Sequence, residues 1–240
     1  MADIDLSGIA ATHGRSQPLR AALVRPPGSG PWPGVVMIHE AFGLDHVMRR
    51  QAERLAAAGY LALAVDLFSD GGTLRCLVPT LRAMRKGQGR PFADIQAARG
   101  WLAASSDCTG KVGVIGFCMG GGFALLTAAS GFEAAAVNYG QLPRDLDTVL
   151  AGACPMVASY GGRDRSLPDA AAKLEQALTG AGVVHDVKEY PTAGHAFLND
   201  AENGPRVLRP LFRVAGIGPE PTAAADAWQR IERFFAMHLQ

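Results

Sequence analysis

One stretch, Lys111 to Ser130, constrains the fold more than any other: KVGVIGFCMGGGFALLTAAS. Val112 to Ile115 is a compact apolar run of buried-strand type, and it passes through Gly116-Phe117-Cys118-Met119-Gly120 directly into small helix-forming residues. A strand that becomes a helix over so few residues brings its own backbone into close approach. That approach favours glycine two positions before and two after the central residue. The spacing here is G-x-C-x-G, the nucleophile-elbow pattern with cysteine at its centre. Such a turn lifts the thiol above a sheet and aims a helix N-terminus at it, where amide N–H groups can stabilise first a thiolate and then an oxyanion. The competing reading is a glycine-rich turn around an inert buried cysteine.

The rest of the chain supplies a sheet for that turn. Ala21 to Val24 reads as an early edge strand, and the turn cluster from Pro26 to Gly34 precedes the apolar run Val35-Val36-Met37-Ile38. That run ends abruptly in His39-Glu40-Ala41-Phe42-Gly43, polar groups at a strand's C-terminal end, which is where ligands bind in open α/β sheets. Further strands are expected at Tyr60 to Val65, Ala134 to Tyr139, Met156 to Tyr160 and Val183 to Tyr190, the last near an edge because its alternation is partly polar. Helices are expected at His46 to Ala58, Ala93 to Ala104, Asp169 to Thr179 and Ala223 to Leu239. This alternation predicts an α/β class with a mostly parallel central sheet. At 240 residues the chain is expected to form a single domain, 1–240. Residues 70–90, glycine-rich and basic, read as a mobile loop or small cap segment with a short helix opening at Pro79.

A formal net charge of +1 gives no electrostatic case for nucleic acid or an acidic membrane surface as partner. No stretch is apolar for the roughly 18 residues a membrane span requires. The four cysteines (Cys76, Cys108, Cys118 and Cys154) lack CxxC spacing and read as free thiols in a reducing cytoplasm. No metal or organic cofactor is expected, because neither HExxH nor a Cys/His cluster occurs. His13, His46, His185 and His238 stand in no comparable context, and His39 reads as a residue that fixes its loop.

Cys118 needs a base, and with an elbow the acid and the histidine follow in chain order from later strand ends. Asp164 follows a buried strand through Gly161-Gly162-Arg163, and His195 follows the next one in Ala193-Gly194-His195. Each alone has a plainer account, a turn acid and a loop histidine. Together with Cys118 they predict a catalytic triad for acyl transfer.

Four segments now carry a resemblance: Val36-Met37-Ile38-His39-Glu40, Gly116-Phe117-Cys118-Met119-Gly120-Gly121, Gly161-Gly162-Arg163-Asp164 and Gly194-His195-Ala196-Phe197. Over residues 20–238 the chain resembles the dienelactone hydrolase (carboxymethylenebutenolidase) family of α/β-hydrolases. The resemblance implies an α/β-hydrolase fold with helices on both faces of the sheet and cleavage of a small ester or lactone through an acyl-thiol. It implies Cys118 as nucleophile, His195 as base and acid, and Asp164 as the partner orienting the imidazole. It further implies that Glu40 contacts the resting thiol and regulates it, and that the backbone N–H groups of Met119 and Ala41 form the oxyanion hole. Phe42, Tyr139, Phe197 and Asn199 are the implied pocket residues. Asn199 departs from the family pattern, since an arginine that binds a substrate carboxylate is expected there, and a neutral amide does not replace a bidentate guanidinium. The alternatives are a broad carboxylesterase or thioesterase, and an idle fold used for binding or thiol redox sensing. A small-molecule substrate is the only partner expected, with the chain a monomer or weak homo-oligomer.

Overall fold

The computed structural model describes residues 1–8 and 14–240, so the expectation for His13 lies outside the described residues. In chain order the strands are β1 (Ala2–Asp5), β2 (Arg20–Val24), β3 (Trp32–Ile38), β4 (Leu61–Asp66), β5 (Cys108–Phe117), β6 (Ala135–Asn138), β7 (Met156–Gly161) and β8 (His185–Tyr190). The helices are α1 (His46–Ala57), α2 (Gly72–Lys86), α3 (Arg90–Ala104), α4 (Met119–Thr127), α5 (Leu146–Leu150), α6 (Ala170–Gly180), α7 (Arg209–Val214) and α8 (Pro221–Leu239). The strands form one sheet in the order β1-β2-β4-β3-β5-β6-β7-β8, with β4 through β8 and β3 parallel and β1 and β2 antiparallel.

Alternation along the central strands builds a core on each face. Val36 and Ile38 of β3 pack with Ile95 and Leu102 of α3, Phe123 of α4 and Leu174 of α6. Val35 and Met37 point the other way, into a layer made with Met48 and Leu55 of α1 and Trp228, Ile231 and Phe235 of α8. The helix ends follow local chemistry. Asp45 caps α1 by accepting from the Val47 and Met48 amides at 2.9 and 3.0 Å, and Glu220 caps α8 by accepting from the Ala223 amide at 2.6 Å. Arg230 of α8 is buried and clamps that helix to the sheet, donating to the Asp186 carbonyl at 2.8 Å and to the Tyr190 hydroxyl at 3.2 Å.

Two expectations are corrected. Ala21 to Val24 is a strand but not an edge, because β1 covers it. That edge strand, Ala-Asp-Ile-Asp, is mostly exposed and offers too little apolar patterning to be recognised alone. Residues 70–90 are not a loop with a short helix from Pro79: α2 runs unbroken for 15 residues with Pro79 in its interior. Cys76, Thr80 and Met84 recur at every fourth position and are buried. That stripe offsets the interior proline, which costs a helix about 3 kcal/mol. Among the described residues no helix is long and apolar enough to cross a membrane.

The chain leaves β3 toward β4 on one side and returns to β5 on the other. The crevice at the C-terminal ends of β3 and β5 is therefore the topological switch point, where α/β sheets bind ligands. Glu40 and Cys118 stand at those two strand ends.

Candidate active site

Cys118 joins β5 to α4 with φ 53° and ψ −115°, a backbone conformation that L-residues rarely adopt and that persists only where the surroundings enforce it. The enforcement is local. A Cβ at Gly116 would overlap the Gly120 carbonyl, and one at Gly120 would overlap the carbonyl of Ile38 at the end of β3. These two close approaches make the sharp turn and draw the start of α4 against the loop that follows β3. Gly116→Ala is expected to lower stability by about 3 kcal/mol, or roughly 6–12 °C in Tm by calorimetry, since backbone rather than a flexible side chain must yield. A Tm within 2 °C or so of the parent would show that the turn has slack.

Asp164 and His195 converge on this turn from the ends of β7 and β8. The Asp164 carboxylate is fixed through one oxygen, which accepts from the Ser166 amide at 2.9 Å and hydroxyl at 2.6 Å, and its other oxygen lies 2.5 Å from His195 Nδ1. Holding Nδ1 in this way leaves Nε2 free for a second partner, and the Cys118 side chain lies close enough to act on the imidazole. Burial disfavours charge on the imidazole, yet the hydrogen bond to Asp164 and the influence of the nearby Cys118 raise its pKa to about 10. Burial likewise opposes the Asp164 carboxylate, but His195 and Ser166 hold its pKa below the ordinary value. The His195 carbonyl accepts from the Gly218 amide at 2.9 Å, so the 201–218 segment braces the histidine loop from behind.

The loop after β3 forms the facing wall. His39, fully buried, accepts the Leu67 amide at Nε2 (3.1 Å), which leaves Nδ1 protonated and donating to the Glu40 carbonyl at 2.6 Å. The Gly43 amide donates to the same carbonyl at 3.1 Å. The Glu40 carboxylate is buried and accepts from the Tyr139 hydroxyl at 3.2 Å, from Asn199 Nδ2 at 3.2 and 3.3 Å, and from Asn203 Nδ2. None of its hydrogen bonds goes to Cys118. Burial pushes the Glu40 pKa up against the pull of the two amides and of His195. Burial, then the charges of Glu40 and Cys118, keeps Tyr139 well above its ordinary value.

Met119, as the first residue of α4, has no carbonyl one turn earlier to take its N–H. Ala41 N–H likewise meets no acceptor among the described residues. The four expected pocket residues divide. Phe42 is half-buried and packs on Phe212 of α7 with ring centroids 5.9 Å apart, whereas Tyr139, Phe197 and Asn199 are at most 3% exposed and back the site rather than line it. Of the basic residues in 70–90, Arg90 pairs with Asp70 at 2.9 Å, and Arg85 and Lys86 line a cleft of about 640 Å³ with Arg144, whose walls do not include Cys118. Asn203 has no counterpart among the sequence expectations. It is one polar residue in an irregular segment, 163 positions from the carboxylate it holds, and no periodicity marks it.

Known proteins resemble this chain in both sequence and shape. It is 30% identical to the carboxymethylenebutenolidase of Pseudomonas putida over 76% of this chain and 82% of that one. Its fold superposes with a TM-score of 0.79 on a dienelactone hydrolase-like promiscuous phosphotriesterase from metagenomic libraries, at 26% identity and covering 92% of this chain and 93% of the other. The dienelactone hydrolase of Anabaena variabilis, at 22% identity, shares the fold with a TM-score of 0.69 over all of this chain and 98% of its own. The model of the dienelactone hydrolase family matches residues 19–239. With an α/β-hydrolase sheet beneath a cysteine elbow and that match along nearly its whole length, the chain belongs to the dienelactone hydrolase family and is a hydrolase of that type.

Proposed function

We propose that the protein hydrolyses a small ester or lactone by covalent catalysis at Cys118, with His195 and Asp164 completing the triad. The observation that supports this most is the His195 ring fixed through Nδ1 by the Asp164 carboxylate, near enough to the elbow cysteine for Cys118 to act on its pKa. The Cys118 thiolate attacks the substrate carbonyl carbon and the carbonyl π pair moves to oxygen. The N–H groups of Met119 and Ala41 receive that oxyanion. The tetrahedral adduct collapses as the His195 imidazolium gives its proton to the departing alkoxide, leaving an acyl-thiol. Water then attacks, neutral His195 takes its proton, and the acid leaves as the thiolate returns. Asp164 keeps Nδ1 protonated throughout and stabilises the imidazolium.

Asn199 bears on substrate choice. Its amide donates to Glu40, so nothing at that position recognises a substrate carboxylate. This supports a second, broader reading, a carboxylesterase or thioesterase without lactone preference. Neutral aryl acetates are expected to be cleaved with kcat/KM within about tenfold of any carboxylate-bearing lactone. Initial rates on a panel of lactones, simple esters and thioesters measure this. A preference above about a hundredfold for the charged lactone, some 2.7 kcal/mol of discrimination, would place a guanidinium or its equivalent in the pocket after all.

A further inference from the structure

The Glu40 carbonyl and the Ala41 N–H belong to one planar peptide unit, so the direction of the first fixes the direction of the second. That carbonyl is held by His39 Nδ1–H at 2.6 Å and the Gly43 amide at 3.1 Å. The side chain of the same residue is held by three more donors, from Tyr139, Asn199 and Asn203. Glu40 is thus bolted at both ends, and none of these bonds is made to the Cys118 sulfur. A buried carboxylate without partners would be costly, and this one is satisfied by neutral donors that compete for no charge in the site.

We propose that Asn199 and Asn203 are positioning residues that act through the Glu40 carboxylate to aim the Ala41 N–H at the reacting carbonyl. The inference rests on the acyl-thiol reading for the oxyanion role of that N–H, while the clasp itself stands on geometry alone. Asn203 has a further consequence. It opens the 201–218 segment, whose other end, Ile217 and Gly218, pairs with the His195 backbone. Phe212 in the same segment packs on Phe42, two residues beyond Glu40. One segment therefore sets the oxyanion donor at its start and the base at its finish.

The test compares parent, Asn203→Ala and Glu40→Gln. Hydrolysis of p-nitrophenyl acetate gives kcat and KM, iodoacetamide labelling at pH 7 reports on the Cys118 thiol, and amide hydrogen exchange is followed in a peptide covering 39–45. Asn203→Ala is expected to lower kcat about tenfold with KM within twofold, because a misaimed oxyanion donor is felt chiefly in the transition state. Its labelling rate should stay within twofold of the parent, and exchange of the Ala41 amide should quicken. Glu40→Gln, which keeps the shape of the anchor, should retain its fold by circular dichroism and show the same pattern. A parental kcat with unaltered exchange overturns the proposal. A labelling rate that changes in step with kcat also overturns it, by placing Glu40's action on the thiol. If the parent cleaves no ester, the acyl-thiol reading fails on its own, and unaltered or quickened exchange still decides whether the clasp holds the loop.

Discussion

Cys118→Ala is expected to lower kcat for an aryl ester by roughly 10⁵–10⁶-fold while leaving the Tm at or above that of the parent. In the proposed scheme the substitution removes the atom that forms the acyl bond. The residual rate then comes from the oxyanion donors and substrate binding alone. The fold should not suffer, because the thiol makes no hydrogen bond on which the elbow depends. The turn is held by glycine close approach and by main-chain bonds, among them the Cys118 amide to the Asn138 carbonyl at 3.1 Å and the Gly122 amide to the Cys118 carbonyl at 3.1 Å. Steady-state kinetics with calorimetry make the check. Intact-mass spectrometry of parent enzyme quenched during turnover should also show one acyl group on the peptide carrying Cys118. Turnover retained in the alanine variant would end the covalent scheme, and with it leave room for a folded but catalytically idle domain.

Asp164→Asn is expected to cost about a thousandfold in kcat/KM and to move the alkaline limb of the pH profile downward. In the parent, burial works against the imidazolium, yet Asp164 and Cys118 together raise the His195 pKa to about 10. A histidine pKa raised on folding stabilises the protein fully below its unfolded value near 6.5, and that contribution disappears as pH rises through about 10. Asp164 shifts the other way, so its contribution is present above the ordinary aspartate pKa and is lost as pH falls through the depressed value. With asparagine in place the imidazolium loses its anion, and the protonated form needed by the leaving alcohol titrates away at lower pH. The amide also presents either oxygen or NH₂ to Nδ1, which permits the wrong tautomer. Rates between pH 5 and pH 10 on a neutral ester measure both effects. An alkaline limb left where the parent has it would mean that Asp164 does not set the charge on His195.

The parts of the molecule that could be read in advance are those where a short motif carries its own physics. The elbow announces itself because glycine is required at fixed offsets, and Asp164 and His195 stand out because polar residues interrupt apolar strands at one edge of the sheet. The amphipathic stripes of α1 and α8 are equally plain, with boundaries shifted by one or two residues. α2 was concealed because Gly71, Gly72 and Pro79 are breakers in isolation, and only burial of Cys76, Thr80 and Met84 outweighs them. The partners of Glu40 were hidden for a different reason. A buried carboxylate near a thiol suggests a contact with that thiol, but tertiary folding brings two amides from beyond β8, and the carboxylate is satisfied there instead. Hydrogen bonds between residues more than 150 positions apart leave no local trace in composition or period.

The 201–218 segment also makes the site sensitive to change at a distance. Cys118, Asp164 and His195 follow three separate strands, β5, β7 and β8, whereas this segment lies outside those strands and carries several exposed apolar residues, among them Val207, Leu211 and Val214. A single change within it can therefore reach both walls of the crevice at once, the loop after β3 through Asn203 and Phe212 and the histidine loop through Ile217 and Gly218.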